Sequence, residues 1–227
     1  MKTIIIIGGS KGIGKAISKR LLANHSVVNI SRTVPDFSHN NLTHYSCDVL
    51  SDDLPEVSIA DGLIYCPGSI NLKPFKRLSP EDFKHDFDIN VIGAVKALQF
   101  YISSLSQSES SSVVLFSTVA TTLGMPFHAS VATAKSAVEG LTKSVAADLA
   151  PNIRVNAIAP TITNTDLAAK LLRNERMIEN TIQRHPLKKF LNPEEVAAMA
   201  EYLISEQSKS ISGQVFKMDC GIVTLKL

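Results

Sequence analysis

Two groups of residues in this chain have types and spacings suited to chemistry on a phosphorylated ligand. The first is Gly8-Gly9-Ser10-Lys11-Gly12-Ile13-Gly14. It follows a β-branched run at residues 4–7 and precedes Ile13, Ala16, Ile17 and Leu21, which recur at helical spacing. Glycines at such a strand-to-helix turn let the backbone approach a pyrophosphate, while the opening helix offers free N–H groups and the positive end of its dipole. The second group is Ser31-Arg32 at the end of the next apolar run, with Lys11 inside the glycine turn. A site selective for NAD places an acid there to bind the ribose hydroxyls. Two cations instead suit a 2′-phosphate, because Arg grips phosphate as a fork. Asp36 follows Pro35 in what reads as loop. The expected cofactor is therefore NADP(H) rather than NAD(H).

The elements that must position these residues alternate along the chain. Short apolar runs at 4–7, 27–30, 43–47, 63–66, 113–116, 154–158 and 214–217 read as strands buried on both faces. A helix starts at Ile13, and another is capped by Ser79 ahead of Pro80-Glu81-Asp82, its pattern running to about residue 105. An alanine-rich helix covers 130–149, and Asn192-Pro193-Glu194-Glu195 opens one reaching about residue 204. The serines of 103–112 read as a polar connector. The pattern predicts an α/β chain of 1–227 folded as a single doubly wound parallel-sheet (Rossmann-type) domain that binds NAD(P).

Bulk properties agree with that class. Of 227 residues, 44% are hydrophobic and 19% charged, an ordinary globular balance, and the net charge is only +2. The absence of a dense basic stripe argues against nucleic acid as a partner, since such binding rests on neutralising phosphates. The first apolar run spans residues 4–7, too short for a signal core, and no run approaches a membrane span. Cys47, Cys66 and Cys220 are scattered, which fits a reducing compartment. A cytoplasmic protein with no membrane association is expected.

The spacing Gly8-xxx-Gly12-x-Gly14 resembles the short-chain dehydrogenase/reductase family, and the resemblance continues along nearly the whole chain. Asp48 with Val49 after the third strand, Asn90, Lys135, Ala159-Pro160, Pro186-Leu187, Glu194-Glu195-Val196-Ala197 and Ser212-Gly213-Gln214 all match. The branch it looks most like is the β-ketoacyl-carrier-protein reductases. The resemblance implies a cofactor site of Gly8, Ser10, Lys11, Gly12, Ile13, Gly14, Ser31, Arg32, Asp48, Val49, Gly68, Asn90, Lys135, Pro160 and Thr165. The family's reaction uses Asn, Ser, Tyr and Lys. Here Asn90 and Lys135 fit, and the serine position falls at Thr118, beside Ser117. The tyrosine, one helical turn before the lysine, is replaced by Val131, which has no proton to give. The family's glycine after Pro160 is Thr161, and its Asn-Asn-Ala-Gly is Tyr65-Cys66-Pro67-Gly68.

The missing phenol leaves three readings. His128 stands seven residues before Lys135, where the family's enoyl reductases place their tyrosine, and it could supply the proton; Tyr65 is a more distant candidate. Alternatively, hydride passes to or from a carbonyl or enoyl substrate needing little acid help, a small molecule or an acyl thioester. The third reading is a weak or inactive NADP(H)-binding sensor or scaffold. The family implies a homodimer or homotetramer, with residues 165–184 as the substrate lid.

Overall fold

The computed structural model describes residues 1–226. Seven strands form one sheet: β1 (Thr3–Ile7), β2 (Ser26–Ser31), β3 (Leu42–Ser46), β4 (Gly62–Tyr65), β5 (Ser111–Phe116), β6 (Ile153–Pro160) and β7 (Val215–Met218). Every neighbouring pair is parallel, in the order β3-β2-β1-β4-β5-β6-β7. This is the expected doubly wound α/β fold. The order reverses between β1 and β4, so their crossovers leave on opposite faces and a crevice opens beyond the carboxyl ends of the strands.

The β-branched runs explain why both faces are covered. Ile5 and Ile7 join Leu63, Val113, Leu115 and Val155 in one core, under α3 (Gly93–Ser106) and α4 (Ala129–Leu149). Ile4 and Ile6 point the other way, joining Ile64, Val114 and Ile158 beneath α1 (Gly12–Leu21) and α6 (Pro193–Ile204). Alternate residues of one apolar strand thus serve two cores.

Two expectations need correction. The long pattern from Ser79 is not one helix: α2 (Pro80–Phe87) passes into a π turn at Asp88–Ile92 before α3 begins. The wider turn frees a carbonyl, and the Tyr65 hydroxyl donates to the oxygen of Ile89 at 2.6 Å. The serine connector is also shorter than expected. Ser103 to Ser106 finish α3, while Ser111 and Ser112 open β5 fully buried. Within residues 165–184 lies a further helix to which the sequence reading gave no element, α5 (Glu175–Arg184), capped by Asn174, whose side chain accepts from the Met177 N–H.

The glycine turn is held by close backbone packing. A Cβ on Gly14 would lie 2.2 Å from the Gly8 carbonyl oxygen, and Gly12 sits at a φ of +51°. Neither position accepts another residue without displacing the turn. We expect Gly14→Ala to destabilise the fold by about 3 kcal/mol or to abolish dinucleotide binding, read from thermal unfolding with and without NADPH. Full stability with unchanged binding would contradict this packing.

Candidate active site

The glycine turn is braced from beneath by a residue that sequence reasoning passed over. Asn29, fully buried in β2, accepts from the Gly9 N–H at 2.9 Å and donates to Ser10 Oγ at 2.9 Å. Ser31 Oγ donates to the Thr33 carbonyl, so Ser10, already accepting from Asn29, passes its proton to Ser31 Oγ at 2.6 Å. A polar side chain in the middle of a buried strand was the available signal. Above this brace, among the described residues, no side chain caps α1, so its first N–H groups stay available to an anion. Thr165 closes over the turn, with its Cγ2 3.3 Å from where a Gly12 Cβ would lie.

At the outer end of the crevice the acids are already engaged. Asp36 pairs with Lys15 of α1 at 2.6 Å, which holds its carboxyl below the usual range. Arg32 lies 3.6 Å from Asp48, whose other oxygen accepts from the Leu50 N–H. A groove lined by Ser10, Lys11, Gly12 and Thr33 runs beside the turn, so Lys11 faces open space.

A second cavity of about 520 Å³ lies beyond the ends of β4, β5 and β6. Ile13, Gly68, Thr118, His128, Val131, Lys135, Pro160 and Thr165 all line it. Lys135 is buried on α4, and its Nζ donates to the Phe116 carbonyl at 2.8 Å. Burial lowers its pKa to about 8, opposed by the nearby Cys66 and Asp86. Burial likewise pushes the Cys66 thiol up to about 12, so it stays protonated at neutral pH. Val131 stands one turn before Lys135 on α4 and is buried against the cavity.

The two adjacent hydroxyls differ in freedom. Ser117 donates to Glu139 Oε1 at 2.6 Å, so its only proton is already committed. Thr118 Oγ1 only accepts, from the Ala120 N–H at 3.3 Å, so its own proton is free for a ligand oxygen. His128, at the start of α4, has Nδ1 2.7 Å from the Pro126 carbonyl. A carbonyl can only accept, so Nδ1 carries the proton and Nε2 is free.

Asn90 belongs to a buried network that the sequence did not reveal. Its Nδ2 donates to the Asp86 carbonyl at 2.7 Å and to Ser69 Oγ at 3.1 Å. The fully buried Asp86 carboxylate accepts from Ser69 Oγ at 2.5 Å and Ser130 Oγ at 2.6 Å. Asn90 Oδ1 is buried without a partner among the described residues. A Cβ on Gly68 would lie 3.3 Å from that oxygen and 3.5 Å from Lys135 Nζ. Only a glycine leaves this gap, where an acceptor and an ammonium face the same small polar space. Tyr65 takes no part in it: it is buried, its hydroxyl is bound to Ile89, and burial raises its pKa.

A dinucleotide turn, a buried lysine and a free hydroxyl around one crevice define a nicotinamide-dependent oxidoreductase scaffold. Comparison with known proteins agrees. A family model described as "Enoyl-(Acyl carrier protein) reductase" matches residues 8–223. The chain is 29% identical over 244 residues to 2,5-dichloro-2,5-cyclohexadiene-1,4-diol dehydrogenase of Sphingobium indicum, covering 99% of this chain and 98% of that one. It is 26% identical over 231 residues to the 3-oxoacyl-[acyl-carrier-protein] reductase MabA of Mycobacterium bovis, covering 97% and 92%. The ligand-free structure of Thermoplasma acidophilum aldohexose dehydrogenase superposes with a TM-score of 0.92 at 28% identity, covering 99% and 95%. The chain belongs to the short-chain dehydrogenase/reductase family.

The depressed lysine gives a pH prediction with a fixed sign. Below about pH 8 the folded and unfolded chains both keep the Lys135 proton, and the fold carries the full cost of a buried cation. From about 8 up to the ordinary value of 10.5, the folded chain sheds it first, so this contribution makes stability rise with pH. Lys135→Met removes that rise. Denaturant midpoints measured across this interval for both proteins check it, and parallel curves would contradict the burial.

Proposed function

We propose that this chain is an NADP(H)-dependent oxidoreductase that moves hydride to or from a carbonyl or enoyl carbon, in an active site that does without the usual tyrosine. The observation that carries this reading is the convergence of Thr118 and Lys135 on one cavity that opens beside an uncapped helix N-terminus, with Asn90 behind Gly68 facing the same lysine. The groups present suit the cofactor: open N–H donors for pyrophosphate, an ammonium for a ribose hydroxyl, and an orphaned acceptor at Asn90 for a water. When bound, NADP(H) supplies or takes up the hydride. Residues Gly8, Ser10, Gly12, Ile13 and Gly14 hold the phosphates, Ser31, Asp48 and Val49 the adenosine end, and Gly68, Pro160 and Thr165 the nicotinamide end.

In this reading Thr118 donates to the substrate oxygen. Lys135 positions the ribose and makes the site electropositive as negative charge develops on that oxygen. The free Nε2 of His128 takes the substrate's proton as a base when hydride leaves the substrate, and in the reductive direction the ring must first gain a proton at Nε2 before giving it up, with Asn90 ordering water below. The substrate is a small molecule or an acyl thioester; the relatives named above act on a cyclic diol and on 3-oxoacyl groups. One domain of residues 1–227, working in the cytoplasm as a homodimer or homotetramer, completes the proposal. Exposed Ile92 and Phe100, at and along α3, offer apolar surface for pairing.

Preference for NADP(H) follows from the outer crevice. Ser31 ends β2 where an acid would repel a 2′-phosphate, Asp36 is bound to Lys15, and Lys11 together with Arg32, exposed and only loosely paired with Asp48 at 3.6 Å, would meet the phosphate. Arg32→Ala and Lys11→Ala should each weaken NADPH binding by about tenfold and leave NADH nearly unchanged, by fluorescence titration. Equal losses for both dinucleotides would point to a different cofactor orientation.

Turnover is tested by NADPH oxidation on β-ketoacyl thioesters, enoyl thioesters and quinones. We expect His128→Ala to lower kcat by about 10²-fold with NADPH affinity intact. Full activity in that variant removes His128 from the chemistry. Tight NADPH binding with no oxidation on any substrate would instead make the protein a sensor or scaffold.

A further inference from the structure

The cavity holds one buried polar pair that hydride transfer and its proton step do not use. Thr161 follows Pro160 at the end of β6, and His185 follows the last turn of α5. The two come together across the cavity wall with Thr161 Oγ1 2.8 Å from His185 Nε2. Both line the cavity, whose lining there includes the apolar Leu171, Met177 and Ile222 along with Asn180 and Arg184. His185 Nδ1 lies 2.7 Å from the Thr181 carbonyl.

These contacts fix the polarity of the pair. The Thr181 carbonyl can only accept, so Nδ1 carries the ring proton of the neutral imidazole, and Nε2 must accept. Thr161 therefore spends its only proton on His185. What remains of its hydroxyl is lone-pair density, with no other side-chain partner among the described residues. A polar atom of that kind in a mostly apolar cavity pairs with a donor, and it disfavours a carbonyl or ether oxygen.

We infer that Thr161, held in acceptor polarity by His185, is a subsite for a hydroxyl or N–H group that the substrate carries in addition to its reacting carbon. The inference rests on the reading of this cavity as the substrate site and narrows the substrate class. The ligand is an apolar body, such as an alicyclic ring system, bearing a hydroxyl that survives the reaction. His185 acts through Thr161 and is a positioning residue.

The test is calorimetric titration of the purified chain, with and without saturating NADP⁺. The probes are decalones carrying a single hydroxyl at successive ring positions, each beside its methoxy, keto and unsubstituted counterparts. At one ring position the hydroxyl compound should bind about tenfold tighter than the other three. Thr161→Val, nearly isosteric, should erase that preference, and Thr161→Ser should restore it. His185→Phe frees the threonine proton to donate, so the keto and methoxy compounds should gain on the hydroxyl compound, which a merely structural histidine would not cause. A wild type without hydroxyl preference at any position, or a preference that survives Thr161→Val, overturns the inference. Hydroxyl preference in a protein that does not bind NADP⁺ would uphold the subsite and sink the oxidoreductase reading instead.

Discussion

The rest of the structure depends on one backbone contact, the approach of Gly14 at the start of α1 to the carbonyl of Gly8 at the end of β1. It sets how near the helix N-terminus comes to the carboxyl edge of the sheet. Asn29 secures the turn from within β2, through bonds to Gly9 and Ser10. Because β1 lies at the reversal of strand order, the turn opens onto the crevice between the two halves of the sheet. The binding edge is thus a consequence of topology, and the residues on it tune an opening that the winding of the chain already makes.

Charge is distributed sparingly around that opening. A buried lysine is expensive unless other groups hold it, and Lys135 is bonded to the Phe116 carbonyl, with the buried Asp86 carboxylate acting from farther off. Asp86 is itself satisfied by two serine hydroxyls, one of them on the cavity wall. Asn90 ties this network to the π turn, whose extra residue places its side chain between α2 and the gap beside Gly68. The break in the long helix is therefore coupled to the polar space of the site, and Tyr65 secures the same break from β4.

Much of this was legible in the residues. β-branched runs closed by Gly or Pro marked the strands, and Ser79 and Asn192 marked helix starts that both prove to be capping boxes. The π turn was not legible, because the apolar pattern from Ser79 to residue 105 continues through it without a break. α5 escaped notice because none of its residues is buried and its polar composition reads as loop. The choice between Ser117 and Thr118 needed the position of Glu139, and the pairing of Thr161 with His185 joins residues 24 apart. Contacts of that kind are set by tertiary packing, which local spacing does not encode.

In the proposed reading, Val131 at the position where the family resemblance expects a tyrosine has a definite weight. A positioned general acid contributes about 10²–10⁴ in rate. Holding two reactants in register contributes effective molarities of about 10⁵–10⁸ M, and pre-aimed dipoles add to this at the developing charge. Orientation and electrostatics, the stronger of these effects, depend on the glycine turn, the lysine, the free threonine hydroxyl and the shape of the cavity, and all of these are in place. Valine also fills its position with buried apolar volume at the cavity wall. A site built this way loses most with substrates whose oxygen must be protonated as hydride arrives. It would lose least where the charge formed can be spread over the substrate, and there the proposed reaction would lean least on His128.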